Sequence, residues 1–572
     1  MKKLIVYLKK YKLQAILGPL FKLLEASFEL MIPLIVAEII DVGIKNGDSG
    51  FIIEMVLLII LLGVVGFICS ITAQYFSAKA AVGFSTILRS ETFKKIQSLS
   101  FNEYDELGTS TLITRITNDI NQIQNGVNLT LRLFLRSPFI VFGSMIMAFT
   151  VDVQSAMIFV VTIPVLAVIV FLILLYTMPL YKKVQTNVDD VVCKTRENLT
   201  GVRVIRAFSK EEDENRDFVI LNERLKDNQN FVSRISNLMN PLTYAIINIS
   251  IIVLLSTTSV KVNNNTLTQG EVIALYNYMS QILVELIKLA NLIISISKAF
   301  ACANRVSSIL QMNSTLKDSD LTDVYSRNYI EFKNVYFRYK NVNEYALSNI
   351  SFSVNKGETV GIIGATGSGK STLVNLIPHF YDISNGYISF KGKSITNIDQ
   401  TELRDKIGIA TQKSVLFKGT IRSNLLLGNP NATDDEMIEA LRLASGLEIL
   451  KGKENGLDSV VEQNGRNFSG GQKQRLNIAR ALIKKPEVLI LDDSQSALDY
   501  ATDSVIRTNL KKLSYKPTVF IVSQRTSSIK HADKIIVLDD GKMIGYGTHE
   551  ELLNKCSIYS EIHYSQYKKE NQ

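Results

Sequence analysis

GETVGIIGATGSGKSTLVNLI, Gly357 to Ile377, decides the fold of the C-terminal part of this chain. A short apolar run from Thr359 leads into a glycine-rich turn and then into a helix-compatible segment, the order strand, loop, helix. Within it Gly364, Ala365, Thr366, Gly367, Ser368, Gly369, Lys370 and Ser371 match the phosphate-binding loop pattern, and Thr372 opens the following turn. The glycines let backbone N–H groups converge on phosphate oxygens at a helix N-terminus. Lys370 is placed for the β- and γ-phosphates, and the Ser371 hydroxyl for a Mg²⁺ shell.

A second stretch, VLILDDSQSALD from Val488 to Asp499, reads as a buried parallel strand delivering acids to a sheet edge. Asp492 is the expected partner of the metal, and the two motifs together predict binding of a nucleoside triphosphate with Mg²⁺. Between them lies FSGGQKQR, Phe468 to Arg475, where a serine and two glycines open a helix and would make a further anion site. The loop at Gly364 to Lys370 already provides for this chain's own phosphates.

Working outward, the rest of the chain has a different character. Its 572 residues exceed one core, and the part before about residue 320 is dominated by apolar runs. Six runs are long enough to cross a bilayer, at about 14–40, 52–76, 128–151, 156–179, 241–260 and 272–298. Lys2, Lys3, Lys9, Lys10 and Lys12 precede the first, whereas the turns near Asn46, Asp152 and Asn264 are poor in positive charge. The positive-inside rule therefore puts the N-terminus in the cytoplasm, and an even number of crossings returns the C-terminus there. The opening segment reads as an interfacial amphipathic helix rather than a cleavable signal. The long charged connections, about 77–127 and 180–240, keep helical spacing and extend the crossings into the cytoplasm.

The net charge of +9 is not gathered into an aromatic-interleaved patch, so membrane lipids rather than nucleic acid are the expected counterpart. Cys69, Cys193, Cys302 and Cys556 lack metal or pairing spacing and read as reduced structural residues.

With these motifs in place the chain resembles the ATP-binding cassette (ABC) family over nearly its whole length. The expected architecture is a six-helix all-α transmembrane domain, residues 1–320, with long cytoplasmic extensions, followed by an α/β phosphate-loop domain, residues 328–572. The resemblance implies that Phe468, Ser469, Gly470, Gly471 and Gln472 close over a nucleotide held by a partner chain, and that Ser496, Ala497, Leu498 and Asp499 form a dimer-contacting loop. It implies that Tyr339 stacks on adenine and that Gln412 senses Mg²⁺. FNEYDELGTSTLITRITNDI and ENLTGVRVIRAFSKEEDE are similar to the loops that dock on cassette domains, with Gly201 to Phe208 the best candidate for a docking helix.

Two positions depart from the family pattern. Asp493 stands where a glutamate usually polarises the attacking water, and Gln524 stands where a histidine usually contacts the γ-phosphate. Pulling a carboxylate back by a methylene is a misplacement of about 1 Å, enough to cost roughly a hundredfold in rate. Glutamine can donate to a phosphate but cannot carry its proton. A third departure, EQNG at Glu462 to Gly465, bears on contacts with the partner. The expectation is one half of a heterodimeric exporter in the cell membrane, binding ATP and Mg²⁺, with its own hydrolytic site degenerate and a homodimer disfavoured. Its expected substrate is a small hydrophobic or amphipathic compound; a lipid, lipopeptide or peptide exporter and an ATP-gated regulator or channel subunit remain open alternatives.

Overall fold

The structure is a computed structural model and describes residues 4–312, 328–340, 342–451, 453–494 and 498–566. The chain divides into two compact units: Met1–Gln97 with Ser110–Met312, and Ser98–Thr109 with Asn313–Gln572. The domain boundary expected near 320–328 falls mostly on 313–327, outside the described residues.

The first unit is helical. Its main helices are α1 (Lys12–Glu38), α2 (Ser49–Gln97), α3 (Arg136–Val151), α4 (Val153–Ala207), α5 (Glu211–Asn237), α6 (Met239–Asn263) and α7 (Gln269–Gln311). Among the described residues, five helical stretches are long and apolar enough to cross a membrane: Ser49–Gln97, Thr109–Val151, Val153–Thr200, Glu211–Asn263 and Gln269–Gln311. The first expected crossing falls on α1, whose Lys22, Glu25 and Glu29 lower its apolarity. At 55 residues α4 is about 80 Å long, far more than a bilayer requires.

Capping sets several starts. Asp152 accepts from Ser155 N–H at 2.8 Å to open α4, and the same carboxylate pairs with Lys261 of α6. Thr268 and Glu271 form a capping box at the start of α7. Asp41 accepts from Gly270 N–H at 2.9 Å, and a Cβ on Gly270 would lie 2.3 Å from the Ala37 carbonyl oxygen, so only glycine permits this approach. The amphipathic N-terminal segment is a short turn, Ile5–Leu8 and Lys9–Tyr11, with Leu4 buried and Ile5 and Val6 exposed.

Several ionisable residues of the apolar helices are mutually paired. Arg136 donates to Glu29 at 2.6 Å and to Glu285 at 2.7 Å; Ser137 donates to Glu285 at 2.8 Å, and Lys288 to Glu285 at 2.8 Å. Lys22 pairs with Glu25. The face shared by Glu25 and Glu29 is therefore neutralised, and the Glu285–Lys288 pair belongs to a cluster joining α1, α3 and α7.

In the second unit the strands of the main sheet are β1 (Ile330–Phe337), β2 (Leu347–Val354), β3 (Thr359–Gly364), β4 (Asn385–Phe390), β5 (Lys393–Ser394), β6 (Ile407–Ala410), β7 (Val488–Asp492), β8 (Thr518–Val522), β9 (Lys534–Asp539) and β10 (Lys542–Gly547). They form one sheet in the order β5-β4-β1-β2-β10-β9-β3-β8-β7-β6. The apolar runs VLILD and TVFIV are buried at every position, as strands covered on both faces must be. Parallel register aligns Val522 with Ile362 and with Asp492, so the ends of β3, β8 and β7 reach one edge. Helices α8 (Lys370–Leu376) and α9 (Gly470–Leu482) pack on the sheet, and α10 (Tyr500–Lys511) and α11 (Ser557–Gln566) complete the helical part of the unit.

Ser98–Thr109 belongs to this second unit although unit 1 flanks it in sequence. Its helix Phe101–Leu107 opens with a Ser100–Glu103 capping box. Phe101 packs on Phe380 with ring centroids 4.6 Å apart, Tyr381 donates to Asp105 at 2.8 Å, and Lys340 pairs with Glu106 at 2.7 Å.

Candidate functional site

The glycine-rich loop connects β3 to α8. Gly369 lies at φ +93°, and a Cβ there would approach the Ala346 carbonyl oxygen to 2.8 Å. Gly367 is also left-handed at φ +86°. A Cβ on Gly364 would lie 2.1 Å from the Leu538 carbonyl oxygen, so β3 ends tightly against β9. Lys370 is buried and folds back over the loop, donating to the carbonyl oxygens of Gly364 at 2.9 Å and Ala365 at 2.6 Å. Ser368 is buried, and its Oγ has no hydrogen-bond partner among the described residues.

Ser371 Oγ donates to Asp492 Oδ1 at 2.8 Å. Burial pushes the Asp492 carboxyl up, the Ser371 hydrogen bond opposes this, and the Asp493 charge adds to it. Gln412 hydrogen-bonds to Asp493, whose carboxyl burial also pushes up against that bond and the charges of Lys370 and Arg525. Burial lowers the Lys370 ammonium pKa, while both acids oppose the shift. Asp493 sits at φ +45°, a left-handed backbone that aspartate tolerates better than most residues.

A phosphate cradle with an unpartnered buried hydroxyl, a buried lysine and a hydroxyl–carboxylate pair fits a Mg²⁺-bound nucleoside triphosphate. Ser371 and Asp492 are oxygen donors suited to Mg²⁺. The metal would neutralise phosphate charge.

Other expected residues lie around this edge or on separate elements. The Tyr339 hydroxyl is 2.9 Å from Thr372 Oγ1, and its ring packs edge-on against Phe337 and Tyr381. Thr366 lies in the loop itself, and Gln524 is exposed just beyond β8. Ser469 caps α9: its Oγ accepts from Gln472 N–H, while Gln472 Oε1 accepts from Ser469 N–H at 3.0 Å. Gly470 and Gly471 form the first turn of α9. Phe468 is buried, with Lys453 Nζ 4.6 Å from its ring centre, so the phenylalanine ring is accommodated in the core. Glu462 to Gly465 forms a tight turn with Asn464 at φ +58° and Gly465 at φ +61°.

Leu498 is buried, Asp499 caps α10 by accepting from Thr502 N–H at 3.0 Å, and Ser496 and Ala497 lie outside the described residues. Gly201 to Phe208 ends α4, with Leu199, Val204 and Phe208 all exposed. The sequence reading missed Gln566, whose side chain holds the backbone around Gln524. No motif signals it, since it lies beyond every phosphate-binding segment.

This combination defines a phosphate-loop ATPase unit in a chain that also carries long apolar helices. Residues 15–286 match the ABC transporter transmembrane region, and residues 347–496 match the ABC transporter family model. The chain belongs to the ABC transporter family. It is 35% identical over 570 residues to the uncharacterized ABC transporter ATP-binding protein YfiB of Bacillus subtilis (strain 168), covering 100% of this chain and 99% of that protein. It is 31% identical to YgaD of the same strain, a protein named for multidrug export, over 98% of each chain. A bacterial Atm1-family ABC exporter structure with ATP bound shares the fold at a TM-score of 0.80 and 23% identity, over 99% of each chain. The chain is thus an exporter-type half-transporter that couples ATP hydrolysis to transport, and such exporters act as dimers.

Proposed function

We propose that this chain is the degenerate-site half of a heterodimeric exporter for hydrophobic or amphipathic compounds. The observation that carries the reading is the pairing of Asp493 and Gln524, both departures at one nucleotide, with an otherwise intact signature segment from Ser469 to Gln472. Gln412 hydrogen-bonds to the Asp493 carboxylate and stabilises its charged form, which weakens it as a base for water. The nucleotide on Lys370 and Ser371 is held with little turnover, while α9 completes a competent site on a partner carrying glutamate and histidine.

Six crossings, counting α1, place both termini and the ATP-binding unit in the cytoplasm. The helix Phe101–Leu107 docks on its own ATP-binding unit, and the exposed apolar end of α4 at Val204 and Phe208 docks on the partner's. Closure on two ATP molecules then moves the long helices. A cavity of about 380 Å³ between α1 and α7 is lined by the apolar Ile32, Val36 and Val284, by Gln281, and by the charged Glu29, Glu285 and Lys288. Such a mixed lining suits an amphipathic substrate.

The test is ATPase activity of the purified chain alone, beside the Asp493→Glu, Gln524→His double variant. Near-inactivity of the native chain and a gain of at least tenfold in the double variant support the reading. Brisk hydrolysis and transport by the native chain alone would overturn it.

A further inference from the structure

Helix α11 ends on the loop that follows β8. Gln566 Nε2 donates to the Gln524 carbonyl oxygen at 2.7 Å, and Gln566 Oε1 accepts from Thr526 N–H at 2.9 Å and from Thr526 Oγ at 3.1 Å. One carboxamide therefore grips the backbone on both sides of Arg525. Thr526 is fully buried, and His563 Nδ1 lies 3.2 Å from its Oγ1. Tyr559, His563 and Gln566 recur at i, i+4 and i+7, so they share one helix face. The fully buried Tyr559 anchors that face in the core, with its hydroxyl 2.7 Å from His549 Nδ1. The Gln524 side chain is exposed while its backbone is held.

We infer that Gln566 is a positioning residue for Gln524: by clamping the carbonyl of Gln524 and the amide of Thr526, it holds the Gln524 side chain ready for the terminal phosphate of ATP. This rests on the reading of Gln524 as the residue that meets that phosphate. ADP lacks the phosphate in question, so the clamp acts on the preference for ATP over ADP and leaves ADP affinity unchanged.

Equilibrium binding of ATP and of ADP, each with Mg²⁺, to the full-length chain tests this. Gln566→Leu, similar in size but without hydrogen bonds, lowers the ATP-to-ADP affinity ratio about tenfold, the effect of one ordinary hydrogen bond. Gln524→Ala lowers the ratio by as much, and combining the two adds nothing further. Gln566→Glu keeps an acceptor for Thr526 but sets a carboxylate against the Gln524 carbonyl, so it too lowers the ratio. It serves as the second variant should leucine disturb folding of α11. An unchanged ratio in both Gln566 variants, while Gln524→Ala lowers it, would overturn the clamp alone. Equal loss of ATP and ADP binding would show a merely structural helix and also overturn it. No effect of Gln524→Ala would remove the reading of Gln524, and the clamp's role with it.

Discussion

Ser371 Oγ and Asp492 Oδ1 are joined by a 2.8 Å hydrogen bond across 121 residues of sequence. The contact exists because Ser371 opens α8 while Asp492 ends β7, and parallel pairing through β8 brings both to one sheet edge. A hydroxyl and a carboxylate so placed would present two oxygens to Mg²⁺ from separate elements.

Replacing either oxygen weakens the metal-dependent part of nucleotide affinity. Asp492→Asn and Ser371→Ala are each expected to reduce ATP binding in Mg²⁺ about tenfold or more, with little change in excess chelator. Titrations of the purified chain with and without Mg²⁺ check this; equal losses in both conditions would contradict it.

Glu285 is buried with Arg136, so removing its charge leaves a guanidinium short of compensation. Glu285→Leu is expected to destabilise the helical unit by about 3–5 kcal/mol. Lys288→Ala, whose side chain is half exposed, should cost far less. Thermal unfolding of the detergent-solubilised protein distinguishes the two.

Phe101 is half exposed, yet it packs on Phe380. Phe101→Ala removes an aromatic pair worth about 0.5–1.5 kcal/mol beyond its area. The expected phenotype is uncoupling: ATP binding is retained while transport into inverted vesicles falls several-fold. Retained transport would mean that this contact carries no motion.

Burial lowers the pKa of His549, helped by the nearby charges of His563, Lys530 and His531 and opposed by Glu550. Burial and Lys530 lower that of His563. Both therefore favour the neutral ring in the folded state. Their contribution is fully present above the ordinary histidine value of 6.5 and is lost as pH falls through the depressed folded values. Acidification from pH 7.5 to 5 should loosen α11, seen as faster proteolysis near the C-terminus, and His563→Gln should flatten that dependence.

Much of the nucleotide site is legible in the sequence because phosphate binding imposes local rules. Gly364 to Ser371 must combine glycine, lysine and a hydroxyl within one turn, and Asp492 must end a run that only a buried strand would tolerate. The long apolar stretches declare a membrane protein for the same kind of reason: a local length requirement imposed by the bilayer. The first crossing is blurred because Lys22, Glu25 and Glu29 dilute its apolarity, and only pairing with Arg136 and within α1 shows how those three charges are accommodated.

Long-range contacts were not legible. Nothing near Gln566 resembles a phosphate motif, and its role follows only from α11 packing on the loop after β8. The segment Phe101–Leu107 reads as a helix, but its place beside Phe380 and Tyr381 depends on chain segments more than 270 residues away. The sequence by itself determined the family, the two-part organisation and the residue set Lys370, Ser371 and Asp492 from which the nucleotide site is proposed, because each is written in local spacing. Tertiary structure alone decided which charges neutralise one another and which side chain holds the Gln524 backbone, because those energies depend on burial and distance between residues remote in the chain.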